Sequence, residues 1–434
     1  MTGKNNTIVL EGENTFTTDE YFKIVITNGS DDEAYIAPTG TYTLTGAEAY
    51  NVFPDYVNIA TEAELKDAFA LGIRNISLNA DIALIDAWTP VGNAEKPWYG
   101  VFDGKNHKIS GLTVEGVEYA AFISHTAANS TVKNLTLENV YLDSTKHAAG
   151  VVCVAGDGLT LENIKVSGNI VATSYAGGIM HNGANATIKN CENNANVTAN
   201  RAGGIASWAT VGANIENVVN KGTITGGVGA SGIAHGFAGT IKNAVNHGNV
   251  SSANVEAAAG IAGVQKAASS YEYCYNYGNV TSTYDDANAS AAGILGQSAG
   301  SASTLKYCAN YGEIKAEKSY AAGIAYSLYG TINASYCYNN GAVYGADGAG
   351  AIAPKAQYGA GDKASYCLNA GDITSNGKVY QGSNNNVSCY YYNNGVLCNV
   401  KDNTVADVDA VLAVLNGGTD AEFFEVENDV ITVK

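Results

Sequence analysis

From residue 161 to residue 373 the chain repeats itself. The segments LENIKVSGNI, IKNCENNANV, IENVVNKGTI, IKNAVNHGNV, YEYCYNYGNV, LKYCANYGEI, ASYCYNNGAV and ASYCLNAGDI align without a gap. One column reads Cys191, Val218, Ala244, Cys274, Cys308, Cys337, Cys367. Two residues on, another reads Asn193, Asn220, Asn246, Asn276, Asn310, Asn339, Asn369, with Val166 in the first segment. Two further on stand Ala195, Gly222, Gly248, Gly278, Gly312, Gly341 and Gly371. Upstream of each segment, a small-residue block ends on an aliphatic anchor: Val151, Ile179, Ile205, Ile233, Ile261, Ile294, Ile324 and Ile352, spaced by 28, 26, 28, 28, 33, 30 and 28 residues. A period near 28, made of short β-type pieces punctuated by Gly or Asn, predicts an all-β chain winding one coil of a parallel β-helix per repeat. Helical solenoids are excluded, because no amphipathic stretch of helical period occurs between roughly 100 and 400.

Coils stacked about 4.8 Å apart turn each column into a ladder along the axis. The Cys/Val/Ala column and the anchors are expected to fill a narrow interior. The Asn column predicts a turn ladder, its amides bonding from coil to coil in the left-handed conformation of a corner, and the Gly column predicts a second corner. All five prolines avoid the stretch from Trp98 to Ala353, as strands that donate to neighbours on both sides require. The cysteines read as soft core fillers that stay reduced, without the ligand spacing of a metal site.

Composition narrows the partners. Charged residues are only 15%, the net charge is −18, and Arg74 and Arg201 are the only arginines, so nucleic acid is not an expected partner. No apolar run is long enough to span a membrane, and MTGKNNTIVL lacks the basic and apolar regions of a secretion leader. No cofactor is expected. Three regions are predicted: an N-terminal β-rich region or cap over residues 1–55, the solenoid over 56–400, and a cap of helix and strands over 401–434. Thr61 with Glu64 forms a capping box that opens a helix at the solenoid's start, and Gly417 and Gly418 stop one beginning near 405.

The stretch VFDGKNHKISGLTVEG at 101–116, VKNLTL at 132–137, and the tetrads Gly260-Ile261-Ala262-Gly263 and Gly293-Ile294-Leu295-Gly296 resemble the GLUG-repeat proteins over roughly residues 60–434. Other coils keep only the first glycine, as in Gly178-Ile179-Met180-His181 and Gly323-Ile324-Ala325-Tyr326. The resemblance implies a right-handed parallel β-helix of the kind found on bacterial surfaces and in adhesins, proteases and phage appendages. It brings no catalytic residues with it.

Two groups of residues are candidate ligand contacts. His147, Tyr175 and Arg201 each lie four residues before an anchor on consecutive coils, so they should stack on one edge as a base, a phenol and the repeat region's only arginine. The residue before the Cys column changes from Asn163, Asn190, Asn217 and Asn243 to Tyr273, Tyr307, Tyr336 and Tyr366, predicting a tyrosine ladder that either stabilises the stack or faces a ligand. Asp285 and Asp286 share the longest insertion and form a weak metal candidate. The expected function is a noncatalytic extracellular, cell-surface or virion rod that binds glycan or another protein subunit, including a second copy of itself. The alternative is a polysaccharide lyase or glycoside hydrolase acting on acidic glycans.

Overall fold

The structure, a computed structural model, describes strands within residues 7–45 and residues 57–434 except 71, 285–289, 299–301, 328–330, 354–361, 382–384 and 418–422. Asp285 and Asp286 lie outside the described residues. The early strands form two small sheets. Phe22–Asn28 pairs with Thr7–Leu10 and Asp31–Ala37, and Glu13–Thr18 pairs with Gly40–Thr45.

From Val57 onward the chain winds into a parallel β-solenoid of about ten turns. One inward column can be followed from end to end by strand register: Val57, Ile76, Phe102, Val132, Leu161, Ile188, Ile215, Ile241, Tyr271, Leu305, Ala334 and Ala364. All are buried. Helix α1 (Glu62–Ala70) closes the first turn, with Thr61 and Glu64 exchanging the reciprocal backbone bonds of the expected capping box. Its Phe69 meets Trp88, Trp98, Phe102 and Phe122 at centroid distances of 5.7 to 6.0 Å, an aromatic plug at the start of the lumen.

The asparagine column forms a ladder, but inside the coil rather than at a corner. Asn193, Asn220, Asn246, Asn276, Asn310, Asn339 and Asn369 are fully buried, and each Nδ2 donates to the next Oδ1 at 2.7 to 2.8 Å up to Asn369. Each Nδ2 also donates to the carbonyl two residues later. The amide of each coil rests on the glycine before its anchor. A Cβ on Gly178, Gly204, Gly232, Gly260, Gly293 or Gly323 would collide with Asn193, Asn220, Asn246, Asn276, Asn310 or Asn339 respectively. This contact fixes the Gly-Ile anchor motif.

The left-handed corner falls instead on the column before the cysteines, at Asn134, Asn163, Asn190, Asn217, Asn243, Tyr273, Tyr307, Tyr336 and Tyr366, all with φ between 52° and 56°. Asparagine tolerates this conformation and tyrosine does so at a cost. The Gly222-to-Gly371 column has no positive φ. There a Cβ would collide with the carbonyl of the coil below, so close stacking selects glycine.

The parallel stack ends in an antiparallel hairpin, Tyr390–Asn393 with Val396–Asn399. Helix α2 (Val408–Asn416), capped by Asp407, then packs with the strand pair Phe424–Glu427 and Val430–Val433. Val411, Leu415, Phe423, Phe424 and Ile431 bury themselves with Tyr307, Tyr338, Leu368 and Tyr390. Phe423 lies 5.3 Å from Tyr307, two registered steps below Tyr366, so this segment runs back along the flank of the solenoid.

Candidate functional site

Two strands flank each anchor glycine, and their outward side chains lean toward each other. Between them lies a line of Ala121, Ala149, Gly177, Gly203 and Ser231, all buried although outside the lumen. The two rows of side chains close over this line and form a strip along the rod, the furrow, in which rings from the two sides touch. On one wall, registered pairing places Tyr119, His147, Tyr175 and Arg201 on successive coils. Tyr119 and His147 are 5.4 Å apart, His147 and Tyr175 are 5.5 Å apart, and the Arg201 guanidinium sits 5.4 Å from the Tyr175 ring centre. All four are half-buried. The expected trio is therefore assembled on one edge, extended by Tyr119.

The other wall supplies residues that the sequence reading did not select. His181 stacks on His147 at 4.4 Å, and His125 meets Tyr119 at 4.8 Å. His181 Nδ1 lies 2.8 Å from Ser207 Oγ. Trp208 lies over Gly236, edge-on to Tyr175 and 4.4 Å from the Lys266 ammonium. A signal for this wall existed. The position of the second glycine in the tetrads reads Cys153, His181, Ser207, His235, Gly263, Gly296 and Tyr326 along the coils, so each departure from the glycine motif puts a side chain into the furrow.

Arg201 is not free to take an anion. Its Nε and Nη2 donate to the two Glu256 oxygens at 2.8 and 2.9 Å, and His235 Nε2 lies 2.7 Å from the same carboxylate. Because a carboxylate only accepts, Nε2 carries the proton of neutral His235, which leaves its buried Nδ1 without a side-chain or backbone donor. Gly229, the Arg201 partner one coil on, leaves the space through which Glu256 reaches across. Burial raises the Glu256 pKa, but the bonds from His235 and Arg201 outweigh it and hold the carboxyl down at about 2. Burial, reinforced by His147, pushes His181 down to about 3. Burial followed by the Lys146 ammonium lowers His147, and burial lowers His235 despite Glu256. The imidazoles of the furrow are thus neutral at pH 7. Lys146 is paired with Glu118 on the rim.

The tyrosine ladder also forms. Tyr273, Tyr307, Tyr336 and Tyr366 stack at 4.8, 5.2 and 5.1 Å with interplanar angles of 15°, 27° and 6°. At that spacing the ring faces cover one another and the ring edges and hydroxyls turn outward. Tyr307 is only 4% exposed, beneath Phe423, while the other three are half-buried beside the C-terminal segment.

Solved structures similar in fold include the following pair. No family model matches the chain, and no curated protein does. A putative immunoglobulin A1 protease from Bacteroides ovatus is 14% identical, aligned over 87% of this chain and 92% of that one, with a TM-score of 0.30. A structure named IgA1 protease is 13% identical over 82% of this chain, which spans 24% of that one, with a TM-score of 0.38. Neither assigns a role to a furrow residue. Among the described residues no helix is long and apolar enough to cross a membrane, and no three His, Cys, Asp or Glu side chains gather as a metal site.

Proposed function

We propose that the protein is a noncatalytic rod of an extracellular, cell-surface or virion setting whose furrow binds an uncharged glycan lengthwise. The carrying observation is the strip Tyr119, His147, Tyr175 and Arg201, half-exposed and repeated once per coil over a line of Ala and Gly. Ring edges, hydroxyls and imidazole nitrogens at coil spacing can meet the hydroxyls of successive sugars, and weak repeated contacts sum along a rigid rod. Arg201 and Lys146 beside the strip are paired internally, with Glu256 and Glu118, which disfavours an acidic ligand at those coils. Hydrolysis needs two carboxyls with separated pKa values across the scissile bond. Glu256, already committed to Arg201 and His235 and ionised above about pH 2, is a poor general acid.

The test is titration of the whole chain against neutral and acidic polysaccharides, with assay for new reducing or unsaturated ends. Preference for neutral polymers without turnover is expected. Turnover abolished by His147→Ala would overturn the reading.

A further inference from the structure

Resting on the glycan reading of the furrow, we infer that this site is closed at one end and takes a short or terminal segment of the glycan rather than the middle of a long chain. The wall strip presents the half-buried rings of Tyr119, His147 and Tyr175 and then meets the Arg201–Glu256–His235 network. Glu256 comes from two coils beyond Arg201 and bonds back to it, so its side chain lies across the furrow at the Gly229 step. The network is built to stay. His235 is fully buried, the carboxylate receives two guanidinium hydrogens and one imidazole hydrogen, and Gly229 has no side chain to compete for the crossing.

Beyond that dam the strip does not resume at once. The equivalent positions on the next two coils are Ala257 and Ser290, and both are fully buried. The next ring on this wall is Tyr320, stacked on the fully buried Tyr326 at 5.7 Å and separated from Arg201 by Gly229, Ala257 and Ser290. The accessible run therefore covers the three coil steps from Tyr119 to Arg201, about 14 Å at the spacing of paired strands. That length accommodates about three or four sugar units at roughly one unit per coil. A chain end abutting the dam would find hydrogen-bonding groups there, because Arg201 Nη1 approaches the Tyr175 hydroxyl at 3.4 Å, a long contact that leaves both able to bond a terminal hydroxyl.

The experiment uses the whole chain and calorimetric titration with neutral gluco-, manno-, xylo- and N-acetylglucosamine oligomers of two to six units, alongside the parent polymers. For the series that binds, affinity is expected to rise about tenfold or more from two to four units and then stay within about twofold up to six. Polymer affinity per chain should not depend on chain length, so binding at a fixed polymer mass should fall when that mass is supplied as longer chains with fewer ends. Affinity that keeps climbing with each unit to six, or that follows polymer mass regardless of chain length, would overturn the closed end while leaving the furrow as the site. Binding by none of the four series would overturn both. Gly229→Ala, which adds a Cβ at the crossing, should impair the dam, and Tyr336→Ala, remote from the furrow, should leave the length profile unchanged.

Discussion

Replacing Asn310 by alanine removes one rung from the middle of the buried ladder. Asn310 Nδ2 donates to Asn339 Oδ1 at 2.8 Å and to the Gly312 carbonyl at 2.9 Å, while its Oδ1 accepts from Asn276 at 2.8 Å. After the change Asn276 still bonds the Gly278 carbonyl, so it loses one of two bonds. Asn339 Oδ1 and the Gly312 carbonyl lose a donor in a place that water does not reach, at about 1 to 3 kcal/mol for each unsatisfied group. Most of the side chain's volume above Gly293 is also left unfilled. Together these put the loss at about 3 kcal/mol. Guanidinium unfolding with tyrosine fluorescence reads the global value. Hydrogen exchange should show the loss centred on residues 276–341, since a solenoid couples mainly neighbouring coils. A change below about 1 kcal/mol would refute the argument that the inner amides hold the coils together.

Three further outcomes follow from the same geometry. Tyr336→Asn relieves a tyrosine from the left-handed region but removes stacking on Tyr307 and Tyr366, each pair being worth about 0.5 to 1.5 kcal/mol, so a net loss near 1 kcal/mol is expected in chemical denaturation and a gain would contradict it. In the unfolded chain His181 takes a proton near 6.5, whereas burial holds it at about 3 in the fold, so stability should fall as pH drops from about 6.5 toward 3. His181→Asn should flatten that slope, and an unchanged slope would place the proton uptake elsewhere. Iodoacetamide should leave the eight buried cysteines of the native protein unmodified and label all of them after denaturation, with disulfide-linked Cys308 and Cys337 as the contrary result.

The coil period, the lumen column and the contact of His147, Tyr175 and Arg201 were legible because each depends on strand register, which a gapless repeat exposes directly. Position within the coil was less so. Asn276 and Tyr273 stand three residues apart in the same repeat, and composition alone favours asparagine over tyrosine for a left-handed corner, yet the corner belongs to Tyr273 and Asn276 lies in the lumen. Glu256 was invisible for a different reason. It lies 55 residues from Arg201 and reaches it only because Gly229, on the coil between, has no side chain. The C-terminal helix was recognisable from its pattern, but the flank it covers depends on a chain reversal that no local signal encodes.

The furrow is tested most directly by comparing Tyr175→Ala with Tyr336→Ala in the titration of the neutral glycan that the unmodified chain binds best. Tyr175 contacts His147, His181, Arg201 and Trp208 within the furrow, whereas Tyr336 belongs to the stacked ladder beside the C-terminal segment. The expected result is a loss of affinity of tenfold or more for Tyr175→Ala, with circular dichroism unchanged, and a change within twofold for Tyr336→Ala. Full binding by Tyr175→Ala together with loss in Tyr336→Ala would contradict the account and move the binding face to the tyrosine ladder.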